Sequence, residues 1–158
     1  MELSYTPIFE IDQELALPKR DFSRDGWEGT KVVRVDGDSL QLSKVVGVRF
    51  SDISGLTRNN FFSLLYTCPE NGTVFTLLGL ASYQALGEWG DLRRQCTIAE
   101  KEWCFLFAGH AIKTSGTERQ LGILAAQYEY GKDRLNWRPK LAFSPLRRSD
   151  YFLVQLLK

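Results

Sequence analysis

The alternation of hydrophobic and polar residues predicts strands along much of the chain. Residues 3–11 (LSYTPIFEI) predict an edge strand, because the nitrogen of Pro7 has no hydrogen to donate to a neighbouring strand. Residues 45–50 (VVGVRF) predict another strand. Residues 103–112 (WCFLFAGHAI) are apolar on both alternating faces, which indicates a strand covered on both sides at the centre of the fold.

The run VVRVDGDSLQLSK, residues 32–44, predicts a β-hairpin. Asp36 and Gly37 suit the two central positions of a type I′ turn, where both residues need a positive φ. Folding the chain at this turn places four apolar side chains on one face and leaves Ser39 on the polar face. The four apolar residues are Val33, Val35, Leu40 and Leu42.

Residues 61–80 predict a second hairpin, since the cluster PENG separates two apolar runs. A helix over 57–67 is the alternative, because several apolar residues keep helical spacing there. These residues are Phe61, Leu64, Leu65 and Cys68. We favour the hairpin because β-branched residues follow the turn.

Helical periodicity appears in other parts of the chain. Residues 82–96 predict a helix with Ser82 as its N-terminal cap, and 149–158 (SDYFLVQLLK) predict a short helix. A short helix over 12–17 is placed within an otherwise polar loop. Residues 118–130 fit a helix or a strand, and we favour a strand because Gly122 is a poor helix residue.

These elements together predict a β-rich α+β fold with a mainly antiparallel sheet or a partly closed barrel and one to three helices. The chain has 158 residues, of which 44% are hydrophobic and 25% charged, as expected for a globular protein. We found no repeat and no Pro/Gly/Ser-rich linker, so residues 1–158 are predicted to form a single domain.

The cellular compartment is predicted from the N-terminal residues, from the length of apolar runs and from the cysteines. The first residues, MELSYTPIFEID, do not resemble a signal peptide, and no run of residues is long and apolar enough to span a membrane. The cysteines Cys68, Cys96 and Cys104 are odd in number and are expected to be reduced thiols. We therefore expect a soluble cytoplasmic protein that does not bind a membrane.

The two ends of the chain carry opposite charge. Residues 1–30 hold seven acidic and three basic side chains, whereas residues 131–158 hold seven basic and two acidic ones. Such ends attract each other or attract charged partners. We predict a binding segment within 132–148, largely a loop, in which six basic residues are interleaved with the aromatic residues Trp137 and Phe143. The predicted partner-binding residues are Arg134, Trp137, Arg138, Lys140, Arg147 and Arg148.

A partner of this segment is predicted from its residue types. Tryptophan, tyrosine and arginine are favoured in protein interfaces, so another protein or a second copy of the chain is the expected partner. Nucleic acid is the alternative, since basic side chains contact phosphates and aromatic rings stack on bases. The overall pI of about 7.7 is lower than nucleic-acid-binding domains usually have.

The sequence favours a non-catalytic protein. Residues 37–40 read GDSL and resemble the nucleophile motif of GDSL hydrolases, so a serine hydrolase acting through Ser39 is the last alternative. That chemistry needs a histidine base, and the only histidine, His110, has Phe107 where the family has aspartate. No cysteine and histidine pair, metal-ligand spacing or phosphate-binding loop is found, so no catalytic residue, metal or cofactor is predicted.

A further alternative rests on two short motifs. Arg20 and Arg24 form R-x-x-x-R, and Asp52 and Ser54 begin a D-x-S pattern. In this order they are similar to the ligand motifs of PilZ domains, which implies binding of a cyclic dinucleotide through these four residues. Arginine suits that role because its planar guanidinium pairs with phosphates and stacks on bases. The sequence departs from the motif at its last glycine position, which is Thr57.

Overall fold

The computed structural model describes residues 3–20, 22, 27–29, 34–67, 75–113 and 121–157. Three α-helices lie within these ranges: α1 (Arg58–Thr67), α2 (Leu80–Trp89) and α3 (Leu92–Gln95). The strands are β1 (Leu3–Pro7), β2 (Glu14–Ala16), β3 (Trp27–Gly29), β4 (Ser39–Gln41), β5 (Val45–Phe50), β6 (Phe75–Leu77), β7 (Trp103–Lys113), β8 (Leu121–Glu129), β9 (Arg134–Leu141) and β10 (Asp150–Leu156).

Eight strands form one mixed sheet, whose main path runs β1-β5-β10-β7-β8-β9. β10 is parallel to β7, and the other neighbouring pairs in the sheet are antiparallel. Off the main path, β3 pairs with β7 and β6 with β10, while β2 and β4 form a small separate sheet. The predicted β-rich α+β class is confirmed, and the described strands form an open sheet rather than a barrel.

Strand β7 divides the core into two layers because its alternating side chains are buried on both faces. Phe105 and Phe107 belong to a cluster that α2 covers. Leu106 belongs to the opposite cluster, which α1 covers with Phe61. Each fully buried aromatic or leucine side chain contributes about 1.5–3 kcal/mol, so the two layers account for much of the stability of the fold.

Several sequence predictions are confirmed. β5 matches 45–50, β7 matches the central strand at 103–112, and β8 shows that the ambiguous segment 118–130 contains a strand. β1 lies at one end of the sheet path, as the edge strand containing Pro7 was expected to. The predicted helix at 82–96 is present as α2 and α3, which Gly90 separates with a left-handed φ of 78°. The predicted cap is wrong, because α2 begins at Leu80 and Ser82 lies within it.

The prediction of a helix at 149–158 is wrong, because this segment is the central strand β10. β10 lies between β5 on one side and β7 and β6 on the other. Tyr151 and Leu153 face one core layer, and Phe152 and Val154 face the other. A strand that is apolar on both faces has no period-2 signal, so it cannot be separated from a buried helix by periodicity.

The prediction of two strands in 61–80 is half wrong. Residues 58–67 form α1, the alternative, while the second strand is β6. The Thr57 hydroxyl accepts a hydrogen bond from the Asn60 N–H at 3.2 Å, so Thr57 caps the helix. The predicted PENG turn lies outside the described residues.

The hairpin predicted for 32–44 is not formed by its described residues. Ser39–Gln41 pairs antiparallel with Glu14–Ala16, which also replaces the short helix predicted at 12–17 with a strand. Val35 instead forms a parallel bridge with Leu77. Of the two turn residues only Asp36 has a positive φ, 36°, so the type I′ turn is absent. Val33 lies outside the described residues.

Candidate functional site

The predicted basic segment is not mainly a loop, since its first half is the strand β9. Among the described strands β9 pairs with β8 alone, so it forms one end of the sheet. Arg134, Arg138 and Lys140 lie at even spacing and therefore share one face of the strand. Arg134 and Arg138 are exposed, and Arg138 donates to Gln127 Oε1 at 2.6 Å. The structure therefore brings three of the predicted partner-binding residues together.

The outer edge of β9 carries unpaired backbone groups. The Ala142 N–H donates to the Leu121 carbonyl at 2.9 Å, which fixes the alternation of inward and outward groups along the strand. Arg138 and Lys140 accordingly pair with β8, whereas the N–H and C=O groups of Leu135 and Trp137 point away from it. No partner for these outward groups lies in the described part of the chain.

Trp137 does not offer a free stacking surface, although it is among the predicted partner-binding residues. Its half-buried ring contacts Tyr83 at 5.0 Å and Phe107 at 6.4 Å between ring centroids. The exposed large hydrophobic residues among those described are Leu141 and Phe143, which are 41% and 55% exposed. Trp137 therefore packs β9 against the core. The exposed apolar side chains, Leu141 and Phe143, follow it in the chain.

Arg147 and Arg148 lie apart from the basic face of β9, in the turn before β10. The Arg147 N–H donates to Asp150 Oδ2 at 3.0 Å. The Arg148 carbonyl accepts from Arg49 Nη1 at 2.6 Å. Both side chains are exposed. The six predicted residues thus divide between the edge strand and this turn.

A cavity of about 710 Å³ lies beside this turn, at the end of β5. Asp52 and Ser54 of the predicted nucleotide-binding set line it together with Arg148 of the partner-binding set. Arg20 does not line it, since its guanidinium lies 5.0 Å above the ring of Phe22. Arg24 lies outside the described residues. The cavity therefore joins residues that the sequence analysis assigned to two different sites.

The described contacts do not bring the residues considered for catalysis together in one site. Ser39 is half-buried in β4 opposite Ala16, and the described contacts do not join it to His110. Burial raises the pKa of the Cys104 thiol to about 11 and that of Cys96 likewise to about 11, so neither is a thiolate near neutral pH. Cys68 lies outside the described residues.

A polar cluster that the sequence did not indicate surrounds the start of α2. The Asp36 carboxylate accepts from the Gly79 N–H at 3.0 Å and from the Ala81 N–H at 3.1 Å. It also accepts from the Ser82 hydroxyl at 2.5 Å. His110 Nδ1 accepts from the Leu80 N–H at 2.9 Å. Side chains distant in sequence thus satisfy the N–H groups at the first turn of the helix.

A bulge in β7 brings His110 to this cluster. Phe107 pairs with Leu124, but Ala111 pairs with the next residue, Ile123, so Ala108–His110 have no partner on β8. Bulges of this kind redirect a side chain away from the ladder. The Gly109 N–H donates instead to the Leu78 carbonyl at 3.0 Å, which holds β7 against the residues before α2.

No family model, curated protein or solved structure matches this chain. Within the described ranges no helix is both long and apolar enough to cross a membrane. In the same ranges, no three histidine, cysteine, aspartate or glutamate side chains are grouped so that they could hold a metal ion. The function must therefore be inferred from the surfaces described above.

The His110 contact predicts a pH-dependent stability. Burial lowers the pKa of His110, with the Asp36 carboxylate opposing this shift, and Nδ1 must be unprotonated to accept from Leu80. A lowered folded-state pKa means that the unfolded chain binds the proton more readily. Stability is therefore full above the unfolded value of about 6.5 and is lost as the pH falls from there towards the folded-state pKa.

We expect urea unfolding to report this loss between about pH 7.5 and pH 5.5, where carboxylates stay ionised. His110→Gln is the matched variant, because an amide oxygen accepts from Leu80 without titrating. Its stability should change less over the same interval. Equal changes in the two proteins would contradict the assignment to His110, which is the only histidine in the chain.

Proposed function

We propose that the protein is a non-catalytic binding module that takes up an extended, acidic segment of a protein partner along the outer edge of β9. The observation that carries this proposal is the row of outward backbone groups on β9, formed by Leu135 and Trp137. An added strand satisfies such groups with hydrogen bonds that depend on the backbone of the partner. This supports a partner that presents an extended chain.

The charge of β9 supports an acidic partner segment. Arg134 and Arg138 are exposed beside the edge, and Lys140 lies on the same face. Carboxylates on alternate residues of an added strand would face this row at the spacing of cross-strand pairs. Like charges would be repelled there, so the same row selects against basic segments and against indiscriminate pairing.

Exposed apolar residues lie at the end of the strand and in the turn after it. Leu141 is the last residue of β9, and Phe143 follows it in the turn. Aromatic anchors contribute strongly to protein interfaces when a partner covers them. A partner strand that ends near Phe143 would bury its ring.

The same surface supports a protein partner over a nucleic acid. The ring of Trp137 packs against Tyr83 and Phe107, so β9 has no tryptophan available for base stacking. The outward N–H and C=O groups match another backbone, which supplies both acceptors and donors in register. Phosphate oxygens would use only the donors.

The proposal is tested with a short fluorescein-labelled peptide of alternating valine and glutamate, measured by fluorescence anisotropy. We expect binding that becomes at least about tenfold weaker in the Arg134→Glu/Arg138→Glu variant. Lys19→Glu/Arg20→Glu is the matched control, since it makes the same charge change at two other exposed residues. Equal weakening by both variants would indicate a general charge effect and would contradict the site.

The contribution of backbone hydrogen bonds to peptide binding is tested separately. A peptide of the same sequence with N-methyl groups on alternate residues cannot donate along one edge, so we expect it to lose binding. Undiminished binding of that peptide would contradict strand addition. A second copy of the chain could occupy the β9 edge instead of a partner, and native mass spectrometry of the protein without peptide tests this. A dimer that the Arg134→Glu/Arg138→Glu variant abolishes would assign the edge to a second copy.

A further inference from the structure

The cavity at the end of β5 is lined by both charged and apolar residues. Arg49 and Arg148 contribute guanidinium groups, and Asp52 contributes a carboxylate. Phe50, Ile53, Leu56 and Leu146 form the apolar side. Its volume of about 710 Å³ lies within the range of about 300–1,000 Å³ found for small-molecule sites, which typically combine apolar walls with a few polar groups.

The guanidinium of Arg49 is held in place before any ligand arrives. Nη1 donates to the Arg148 carbonyl, and the group lies 4.6 Å above the ring of Tyr151. A stacked guanidinium keeps its remaining N–H groups in a fixed plane, which suits bidentate pairing with an oxyanion. Arg49 therefore lines the cavity with a restrained guanidinium, which loses little freedom when an anion binds to it.

Arg148 supplies a second positive charge on the same cavity. Its exposed guanidinium has no partner within the part of the chain that the structure describes. Two guanidinium groups and the Asp52 carboxylate leave the cavity with a net positive charge. A phosphate monoester carries a charge of about −1.5 to −2 near neutral pH, so the two guanidinium groups attract it more strongly than they attract a single carboxylate.

Asp52 adds an acceptor beside these cations. Its Oδ1 accepts from the Ser54 N–H at 3.0 Å, which forms the turn after β5. Its Oδ2 has no partner among the described residues, so it can accept a hydrogen bond from a ligand hydroxyl or amino group. From these groups we infer that the cavity binds a phosphate monoester of mononucleotide size, with the phosphate at Arg49 and Arg148 and the sugar hydroxyls or base at Asp52.

The apolar side gives the ring of such a ligand a surface to lie on. Ile53 and Leu56 are half-buried, so each presents part of its side chain to the cavity. A base or another flat ring that covered them would remove apolar surface from water. A free phosphate ion would not gain this contact, so the inference requires a mononucleotide to bind more tightly than inorganic phosphate.

The test is isothermal titration calorimetry with the four ribonucleoside 5′-monophosphates, with inorganic phosphate, ribose 5-phosphate, adenosine and succinate as comparison probes. We expect at least one mononucleotide to bind at least about tenfold more tightly than inorganic phosphate and than its own nucleoside. Arg148→Gln should weaken that binding about tenfold or more. Because Arg148 is exposed, its variant should keep the thermal midpoint of the wild-type protein.

Arg34→Gln is the matched control, since it removes an exposed arginine that does not line the cavity and should bind the mononucleotide as the wild type does. The inference is overturned if no mononucleotide exceeds inorganic phosphate, or if Arg148→Gln and Arg34→Gln bind equally well. Succinate bound as tightly as the best mononucleotide would overturn the phosphate assignment in favour of a dicarboxylate. These outcomes are independent of strand addition at β9, which involves neither Arg49 nor Asp52.

Discussion

Replacing Gly79 with alanine is expected to destabilise the protein by about 3 kcal/mol or more. A Cβ atom at this position would lie 2.0 Å from His110 Nδ1 and 2.9 Å from Asp36 Oδ2. Both side chains would have to leave the positions from which they accept the N–H groups at the start of α2. The variant would therefore lose the cap of the helix in addition to the cost of overpacking. Urea unfolding measures the change in free energy.

The contribution of the clash can be isolated with control variants. The φ of Gly79, −117°, is accessible to alanine, whereas its ψ of −148° lies outside the extended region, so the backbone adds to the cost of the clash and the lost cap. Gly131→Ala is the control, since nothing lies within 4 Å of its Cβ position, and it should change stability by less than about 0.5 kcal/mol. In a His110→Ala background Gly79→Ala should cost much less. An undiminished cost there would contradict the clash with the imidazole.

The central and edge strands could be predicted because each has a local signature. β7 is a long apolar run with turn residues on both sides, and β1 contains Pro7 in a segment that alternates. These signals depend on the residues of the segment itself. The β-rich α+β class followed from them without knowledge of which strands pair.

The pairing of distant segments could not be predicted, and most wrong predictions come from it. β4 pairs with β2 rather than with the residues before Asp36, because Asp36 and Val35 are held by the segment 77–82. The sequence DGDSL has the turn residues of a hairpin, but tertiary contacts to the start of α2 determine its conformation. A local turn preference of this kind is weaker than several long-range hydrogen bonds together.

The candidate sites, like the strands, could be predicted only where the signal is local in the sequence. The basic residues of β9 were predicted as a binding segment from residue type alone. Their shared face was not predicted, because the segment was expected to be mainly a loop and the side chains share a face only on a strand. The cavity was not predicted, because it depends on the turn after β5 meeting the turn before β10. Arg49 had no signal in the sequence, and only its contact with the Arg148 carbonyl and the Tyr151 ring identifies it.

Replacing Asp150 with leucine is expected to destabilise the protein by about 3–5 kcal/mol. Asp150 Oδ2 lies 3.4 Å from Arg58 Nη2, and the two side chains are only 2% and 4% exposed. Without the carboxylate, the Arg58 guanidinium would stay buried and charged, and its Nε already has no hydrogen-bond partner among the described residues. Asp150 also accepts from the Arg147 N–H, so the turn before β10 would loosen as well. Urea unfolding of the variant measures the loss.

The double variant Arg58→Met/Asp150→Leu distinguishes two contributions to the free energy of unfolding. One is the cost of an unpaired buried charge, and the other is the net stabilisation by the ion pair. Because a buried ion pair pays a large desolvation cost, an apolar pair of similar volume should recover most of the stability that Asp150→Leu alone loses. The surface pair Arg93–Asp133, at 2.9 Å and about half exposed, is the control, and Arg93→Met should cost less than about 1 kcal/mol. If the double variant is as unstable as Asp150→Leu, the buried charge is not the cause. The effect would then belong to the hydrogen bond from Arg147 to Asp150.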